Sequence, residues 1–181
     1  DQTGRFISYN YLSENGRVIT EPLVDYDKPG AGDYYLLAKN NRRATISSTY
    51  FYTTVDGSNY YIASVAVPII KDDQVIGASG GDINMTPISQ TLKNIKLYDN
   101  GYLMLLDDKG FFAYAPDESD WGQDAKGKLS AAAYGDVMEV IQTGRPKVVE
   151  AVASTTRQRE ICALALAPIQ ISEPKRRTPT W

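Results

Sequence analysis

The sequence predicts an α+β fold built as two related modules, each an antiparallel sheet with short helices. Three observations lead there. Apolar runs of strand length are separated by tight turn signals, among them Asn15-Gly16 and Asp56-Gly57. The order of strands, turn and helix runs once before residue 97 and again after it. An opening signature also recurs: Asp1-x-x-Gly4-x-Phe6 is echoed by Asp107-x-x-Gly110-x-Phe112, each soon followed by a tyrosine, Tyr9 and Tyr114. The modules are residues 1–96 and 97–181.

In the first module, residues 6–11 and 17–20 read as strands joined by Glu14-Asn15-Gly16. Residues 21–32 hold Pro22, Pro29, Gly30 and Gly32, too many breakers for a helix. Asp33 then caps a short helix over 34–39, closed by Asn40-Asn41. A single strand is expected over 45–53, a long one over 59–70 and a third over 75–83, joined by Val55-Asp56-Gly57 and Lys71-Asp72-Asp73. The alternation in 62–67 is partial, so both faces of that strand look half-buried. Thr86 caps a helix with Pro87 at its first position, running to about residue 95.

Residues 97–101 are the junction. Strands over 101–106 and 111–114 flank the turn Asp107-Asp108-Lys109-Gly110. A polar loop, 116–128, leads to a helix over 129–143, ended by Gly144 and Pro146. Two strands, 147–154 and 160–169, complete the module.

Composition excludes several functions. The net charge of −3 and the lack of a Lys/Arg stripe argue against nucleic acid as a partner. There is no histidine, which removes the commonest general base, metal ligand and nucleophile partner. Cys162 is the one cysteine, so no internal disulfide forms, and it reads as a small core residue. No apolar run reaches a membrane span, and no signal peptide is present. The chain begins in mid-pattern, as an excised or partial piece of a longer protein would.

Residues 33–82 have the composition of a binding site. Thirteen tyrosines stand against four phenylalanines in the chain, a bias toward rings with a polar tip. Tyr34, Tyr35, Tyr50, Tyr52, Tyr60 and Tyr61 cluster here, with Asp33 at the start and Asp82 on the last strand. Gly77 to Gly81 is glycine-rich but lacks the Lys-Ser/Thr of a phosphate loop; such glycines let a ligand or a helix approach the strand. Asp117-Glu118-Ser119-Asp120 with Asp124 shares only its charge with a calcium loop and reads as a solvated loop. Neither a metal nor a cofactor is expected.

The combination resembles the double-Cache sensor domain, the extracytoplasmic ligand-binding region of bacterial methyl-accepting chemotaxis receptors and some sensor kinases. The residues that carry the resemblance are Asp1-Gln2-Thr3-Gly4-Arg5-Phe6, Glu21-Pro22-Leu23-Val24-Asp25-Tyr26, Gly32-Asp33-Tyr34-Tyr35, Val67-Pro68-Ile69, Val75-Ile76-Gly77 and Gly81-Asp82-Ile83. In the second module they are Gly101-Tyr102-Leu103, Asp107-Asp108-Lys109-Gly110 and Ala167-Pro168-Ile169. The resemblance implies two stacked α/β PAS-like modules along a long N-terminal helix, which this sequence lacks. It places the ligand in the membrane-distal module, residues 1–96, and makes 97–181 the membrane-proximal one. It implies a periplasmic or extracellular location, a membrane tether in the full-length protein, a homodimeric receptor and no catalysis. After Pro168 the chain departs from the family's pattern in a polar tail, Glu173-Pro174-Lys175-Arg176-Arg177.

Amino-acid-binding members of that family carry an Arg before a Trp-Tyr pair, a Tyr-x-Asp segment and a last-strand Asp. Matched onto this chain, Trp-Tyr becomes Tyr34-Tyr35, the Arg position falls in Ala31-Gly32-Asp33, and Tyr-x-Asp becomes Tyr50-Phe51-Tyr52. The last-strand Asp is Asp82. The clamp for a ligand carboxylate is missing while the ammonium anchor remains. The resemblance therefore points to a small organic amine or quaternary ammonium compound, held by a buried Asp82 with Tyr34, Tyr35, Tyr50, Tyr52 and Asp33 around it. The same residues also suit ordinary strand, cap and turn positions. Other readings are the sensor of a histidine kinase or cyclic-nucleotide enzyme taking an amino acid, purine or small carboxylate, and a small hydrolase using Asp and Tyr.

Overall fold

A computed structural model describes residues 4–13, 15–96 and 101–145, together with the backbone of 147–152 and 159–164. The chain divides into two compact units, Asp1–Ile95 and Lys96–Trp181. The junction expected at 97–101 lies almost wholly outside the described residues, as does the chain after 164.

The first unit opens with a hairpin, β1 (Ser8–Leu12) and β2 (Val18–Pro22), paired from Leu12↔Val18 to Ser8↔Pro22. β2 runs two residues past its expected end, because Glu21 and Pro22 still find partners on β1. Helix α1 spans Asp33–Asn41. Its N-cap is Gly32 and not Asp33; no side chain caps it, and the Asp33 carboxylate instead accepts the Gly30 N–H at 3.0 Å. Gly32 is required sterically, since a Cβ there would stand 2.5 Å from the Asp25 carbonyl oxygen.

The expected strand over 45–53 is two, β3 (Thr45–Ile46) and β4 (Tyr50–Thr53). Both pair antiparallel with β5 (Asn59–Lys71), β3 through Thr45↔Ala66 and β4 through Tyr50↔Ile62. Between these pairs three residues, 47 to 49, face two, Ala63 and Ser64, which is a β-bulge. Ser47 stabilises it: its hydroxyl donates to Ser48 O and accepts the Ser64 N–H. β6 (Gln74–Asn84) lies along the other edge of β5, across a two-residue turn with Asp72 and Asp73 both at positive φ. Their register shifts by one between Ile69 and Ile70, with Ile76 the extra residue.

β5 is the centre of this unit. Tyr61, Ile62, Ala63 and Ser64 are buried in succession, so both its faces are covered there. α1 packs on β3, β5 and β6, and α2 (Met85–Asn94) on β5. Asn84 caps α2 by accepting the Thr86 N–H, which puts Pro87 at the third helical position and leaves Thr86 inside the helix. Asparagine wins the cap because β6 delivers it in extended backbone conformation directly before the helix.

In the second unit β7 (Leu105–Leu106) and β8 (Phe112–Tyr114) form a short hairpin, β7 being shorter than expected. The Asp107 carboxylate accepts the N–H groups of Lys109 and Phe111, which fixes the turn. The matching residue of the echo, Asp1, lies outside the described residues. Helix α3 (Ala131–Thr143) is capped by Ser130. β9 (Lys147–Val152) and β10 (Arg159–Leu164) pair antiparallel. The core gathers Leu106, Phe112, Ala115, Ala125 and Val137, with Met104, Trp121, Leu129, Tyr134 and Ile141 packed against it.

Candidate functional site

The first unit encloses a cavity of about 1120 Å³. One wall is the sheet. Antiparallel partners project to one face, so Tyr50↔Ile62, Tyr52↔Tyr60 and Ser64↔Asp82 set Tyr50, Tyr52, Ser64 and Asp82 on the same side. A second wall is β1, from Ser8 to Tyr11, and a third is the loop and first turn of α1, with Asp25, Asp33, Tyr34 and Tyr35. Gly80 and Gly81 also line it. A Cβ on Gly80 would fall 2.3 Å from the Val65 carbonyl oxygen, so this glycine admits the neighbouring strand and not a helix.

All six residues singled out from the sequence line this cavity: Asp33, Tyr34, Tyr35, Tyr50, Tyr52 and Asp82. Their bonding separates them. Tyr50 and Asp82 are linked through Ser64, whose hydroxyl donates to Asp82 Oδ1 at 2.6 Å and sits 2.7 Å from the Tyr50 hydroxyl. The single Ser64 proton is used on Asp82, so Tyr50 donates to Ser64. Tyr52 turns the other way and donates to Glu21 Oε1. The Tyr34 hydroxyl donates to the Val24 carbonyl at 2.5 Å. Tyr35 lies edge-on to Tyr26, with the Lys39 ammonium 5.7 Å from its ring centre.

Asp82 is not buried, contrary to the expectation from its strand position. It is exposed on the cavity side, because Gly80 and Gly81 next to it carry no side chains that would cover it. Among the described residues it has no ion-pair partner.

Three contributors escaped the sequence reading. Tyr9 lies near Asp82, whose carboxylate helps to raise its ionisation, and meets Tyr52 edge-on, ring centres 5.5 Å apart. Ser64 is the bridge to Tyr50. Glu21 is buried, only 4% exposed, and accepts from both Tyr52 and the Val55 N–H. A tyrosine two residues into a strand after the turn signature was the available signal for Tyr9; nothing local marks Ser64 or Glu21.

Burial raises the ionisation of Tyr9, Tyr34, Tyr50 and Tyr52 above the ordinary phenol range. The Asp82 carboxylate adds to the effect on Tyr9, and Glu21 on Tyr52. These hydroxyls therefore remain protonated near neutral pH, and those of Tyr34, Tyr50 and Tyr52 donate to the acceptors named above.

In the second unit a shallower hollow of about 580 Å³ is lined by Ser119, Asp120 and Lys128, among others. Its carboxylates are engaged locally. Asp117 and Asp124 each cap a single 3-10 turn, and Asp120 pairs with Lys128 at 2.7 Å. No cluster of potential metal ligands occurs among the described residues.

Comparison with known proteins bears on the first unit most directly. Residues 1–90 match the family described as methyl-accepting chemotaxis protein-like, first PDC sensor domain. The methyl-accepting chemotaxis protein PscA of Pseudomonas syringae pv. tomato is 21% identical over 147 residues, covering 81% of this chain and 21% of that protein. The extracellular domain of mmHK1S-Z2, described as a histidine kinase, is 29% identical with a TM-score of 0.74, covering 91% of this chain and 60% of that one. The periplasmic sensory domain of the Campylobacter jejuni chemoreceptor Tlp1 shares the fold at 21% identity and a TM-score of 0.62, over 84% of this chain and 54% of that one. The chain thus spans about a fifth of the curated relative and little more than half of these solved domains.

Proposed function

We propose, on the premise that the first unit belongs to the methyl-accepting chemotaxis protein-like PDC sensor domains, that this chain is the extracytoplasmic ligand-sensing part of a transmembrane chemoreceptor. Its ligand is a small organic amine or quaternary ammonium compound, taken into the cavity of the first unit. Residues 1–96 are then the membrane-distal module and 97–181 the membrane-proximal one. Binding shifts a pre-existing conformational equilibrium of a homodimeric receptor tethered to the membrane, and no reaction is catalysed.

One observation carries the ligand class. Asp25, Asp33 and Asp82 are the charged side chains lining the cavity among the described residues, and all three are acidic. Asp25 is already paired with Lys28 at 2.7 Å and Asp33 is tied to the Gly30 N–H at the helix start; Asp82, on the sheet wall beside Tyr50 and Ser64, is taken as the anchor for a cation. A ligand carboxylate would meet like charge and no clamp.

The test is calorimetry on the chain with an amine panel, α-amino acids and adenine, for wild type and Asp82→Asn. Removing one partner of a charge pair typically costs about 2–5 kcal/mol, so the variant should weaken amine binding by about tenfold or more while melting at the wild-type temperature. Equal amine affinity in the two proteins, or tight binding of adenine alone, overturns the amine reading.

The likeness to mmHK1S-Z2 supports a second reading, the sensor of a histidine kinase taking an amino acid, purine or small carboxylate. The chain sequence beyond Trp181 in the complete protein decides between the two outputs.

A further inference from the structure

We infer that the cavity selects a cation bearing N–H groups, a primary or secondary ammonium, and discriminates against quaternary ammonium. The inference rests on the amine reading above and follows from hydrogen-bond accounting around Asp82. Several hydroxyl protons around Asp82 are used within the protein: Ser64 on Asp82, Tyr50 on Ser64, Tyr34 on the Val24 carbonyl and Tyr52 on Glu21. What these groups can still offer a ligand is oxygen lone pairs. The Asp82 carboxylate adds its own, since the one Ser64 donor does not fill about four acceptor sites. Apart from the Tyr11 hydroxyl on β1, which has no partner among the described residues, the groups named around Asp82 accept, and a ligand that donates matches them.

The aromatic faces support the same choice. A quaternary ammonium is held by open ring faces arranged as a cage. Here Tyr9 stacks on Tyr11 with ring centres 5.7 Å apart and meets Tyr52 edge-on. Lys39 stands over Tyr35 and Arg5 over Tyr26, at 5.7 and 5.5 Å from the ring centres. These rings are already engaged with one another or with the chain's own cations.

Phenethylamine and its N-methyl, N,N-dimethyl and N,N,N-trimethyl derivatives keep one carbon skeleton while removing N–H groups one at a time. Calorimetry of the four against the whole chain should show affinity falling along the series, by about tenfold between the first and last members. Tyr50→Phe keeps the ring and removes one acceptor oxygen; it should weaken the primary amine by about three- to tenfold and leave the trimethyl compound unchanged. A trimethyl compound binding as tightly as the primary amine, or Tyr50→Phe weakening both equally, overturns the selectivity and leaves the cation reading standing. Failure of all four to bind overturns both. Should Tyr50→Phe not fold, the wild-type series decides alone.

Discussion

In the first unit the side chains shut away from water include Glu21, Ser47, Thr49, Thr54, Ser64 and Ser89. In the second, among the described residues, they are Leu106, Phe112, Ala113, Tyr114, Ala115, Ala125, Ala133, Val137 and Val140. Both units share the hairpin-and-helix grammar, yet the first buries hydroxyls and a carboxylate alongside Tyr61, Ile62 and Met85, while the described buried residues of the second are apolar or aromatic. Burying a polar group costs free energy unless it is bonded, and a stable core needs none of them. The difference teaches where packing has been traded for chemistry: Ser47, Thr49 and Ser64, half of the buried polar residues among those described, border the cavity.

The comparison can be broken most strongly at Phe112, 1% exposed at the centre of the second core. Phe112→Ala should cost about 3–5 kcal/mol. Trp121 packs against that core, so its fluorescence during urea unfolding reports it. A loss under about 1 kcal/mol would mean that this core collapses readily around the gap and is not the tightly packed one.

In the first unit the sharpest steric test is Gly80→Ala. Its Cβ cannot stand 2.3 Å from the Val65 oxygen, so β5 and β6 must part locally, at about 1–3 kcal/mol. Thermal melting by circular dichroism measures it; an unchanged midpoint would show that the strand edge yields without cost.

Ser64→Ala should cost less, about 0.5–1.5 kcal/mol, because one small hydroxyl is lost and Tyr50 can turn toward water in the cavity. A cost approaching that of Phe112→Ala would make the polar interior structural and erase the contrast between the units.

The smallest effect per residue is alkaline. Tyr9, Tyr34 and Tyr52 ionise later in the folded state than in the unfolded chain, chiefly through burial. Their contribution is fully present below the unfolded value near 10 and is lost as pH rises above it, since the unfolded chain then releases protons first. In the second unit Tyr114 is the tyrosine with a resolved upward shift among the described residues, and Lys128 is raised by its bond to Asp120. A pH series above 10 should therefore weaken the first unit, followed by tyrosine absorbance, before the second, followed by tryptophan. Simultaneous loss of both signals would contradict it.

Local chemistry explains what could be read from the chain. Turn residues set the hairpin at Asn15-Gly16 and the arms of β5 and β6, and Gly144 closes α3 as expected. The fold class and the sensor family were legible in the same way, through short motifs. The cavity-lining positions of Tyr34, Tyr50, Tyr52 and Asp82 came from the resemblance. What was not legible depends on distant partners. Glu21 reads as a loop carboxylate until Tyr52, 31 residues on, turns toward it. Asp33 and Thr86 have the composition of caps, but the cap belongs to whichever residue the preceding backbone places outside the helix, here Gly32 and Asn84. The break between β3 and β4 was hidden because Ser47 satisfies it with a side chain that suits strand and turn alike.

Ile76 gives the site its phase. On the turn side of this extra residue Lys71 faces Gln74 and Ile70 faces Val75; beyond it Ile69 faces Gly77 and Ser64 faces Asp82. Were Ile76 kept but paired with Ile69, the tight register would run on and set Asp82 opposite Ala63. A one-residue slip turns every side chain of a strand to the other face. The carboxylate would then point away from Tyr9, Tyr50 and Ser64, although no residue that touches the cavity had changed. Deleting Ile76 would instead straighten the pair and leave Asp82 opposite Ser64, so the bulge can absorb a lost residue of the outer arm without moving the cavity's negative pole.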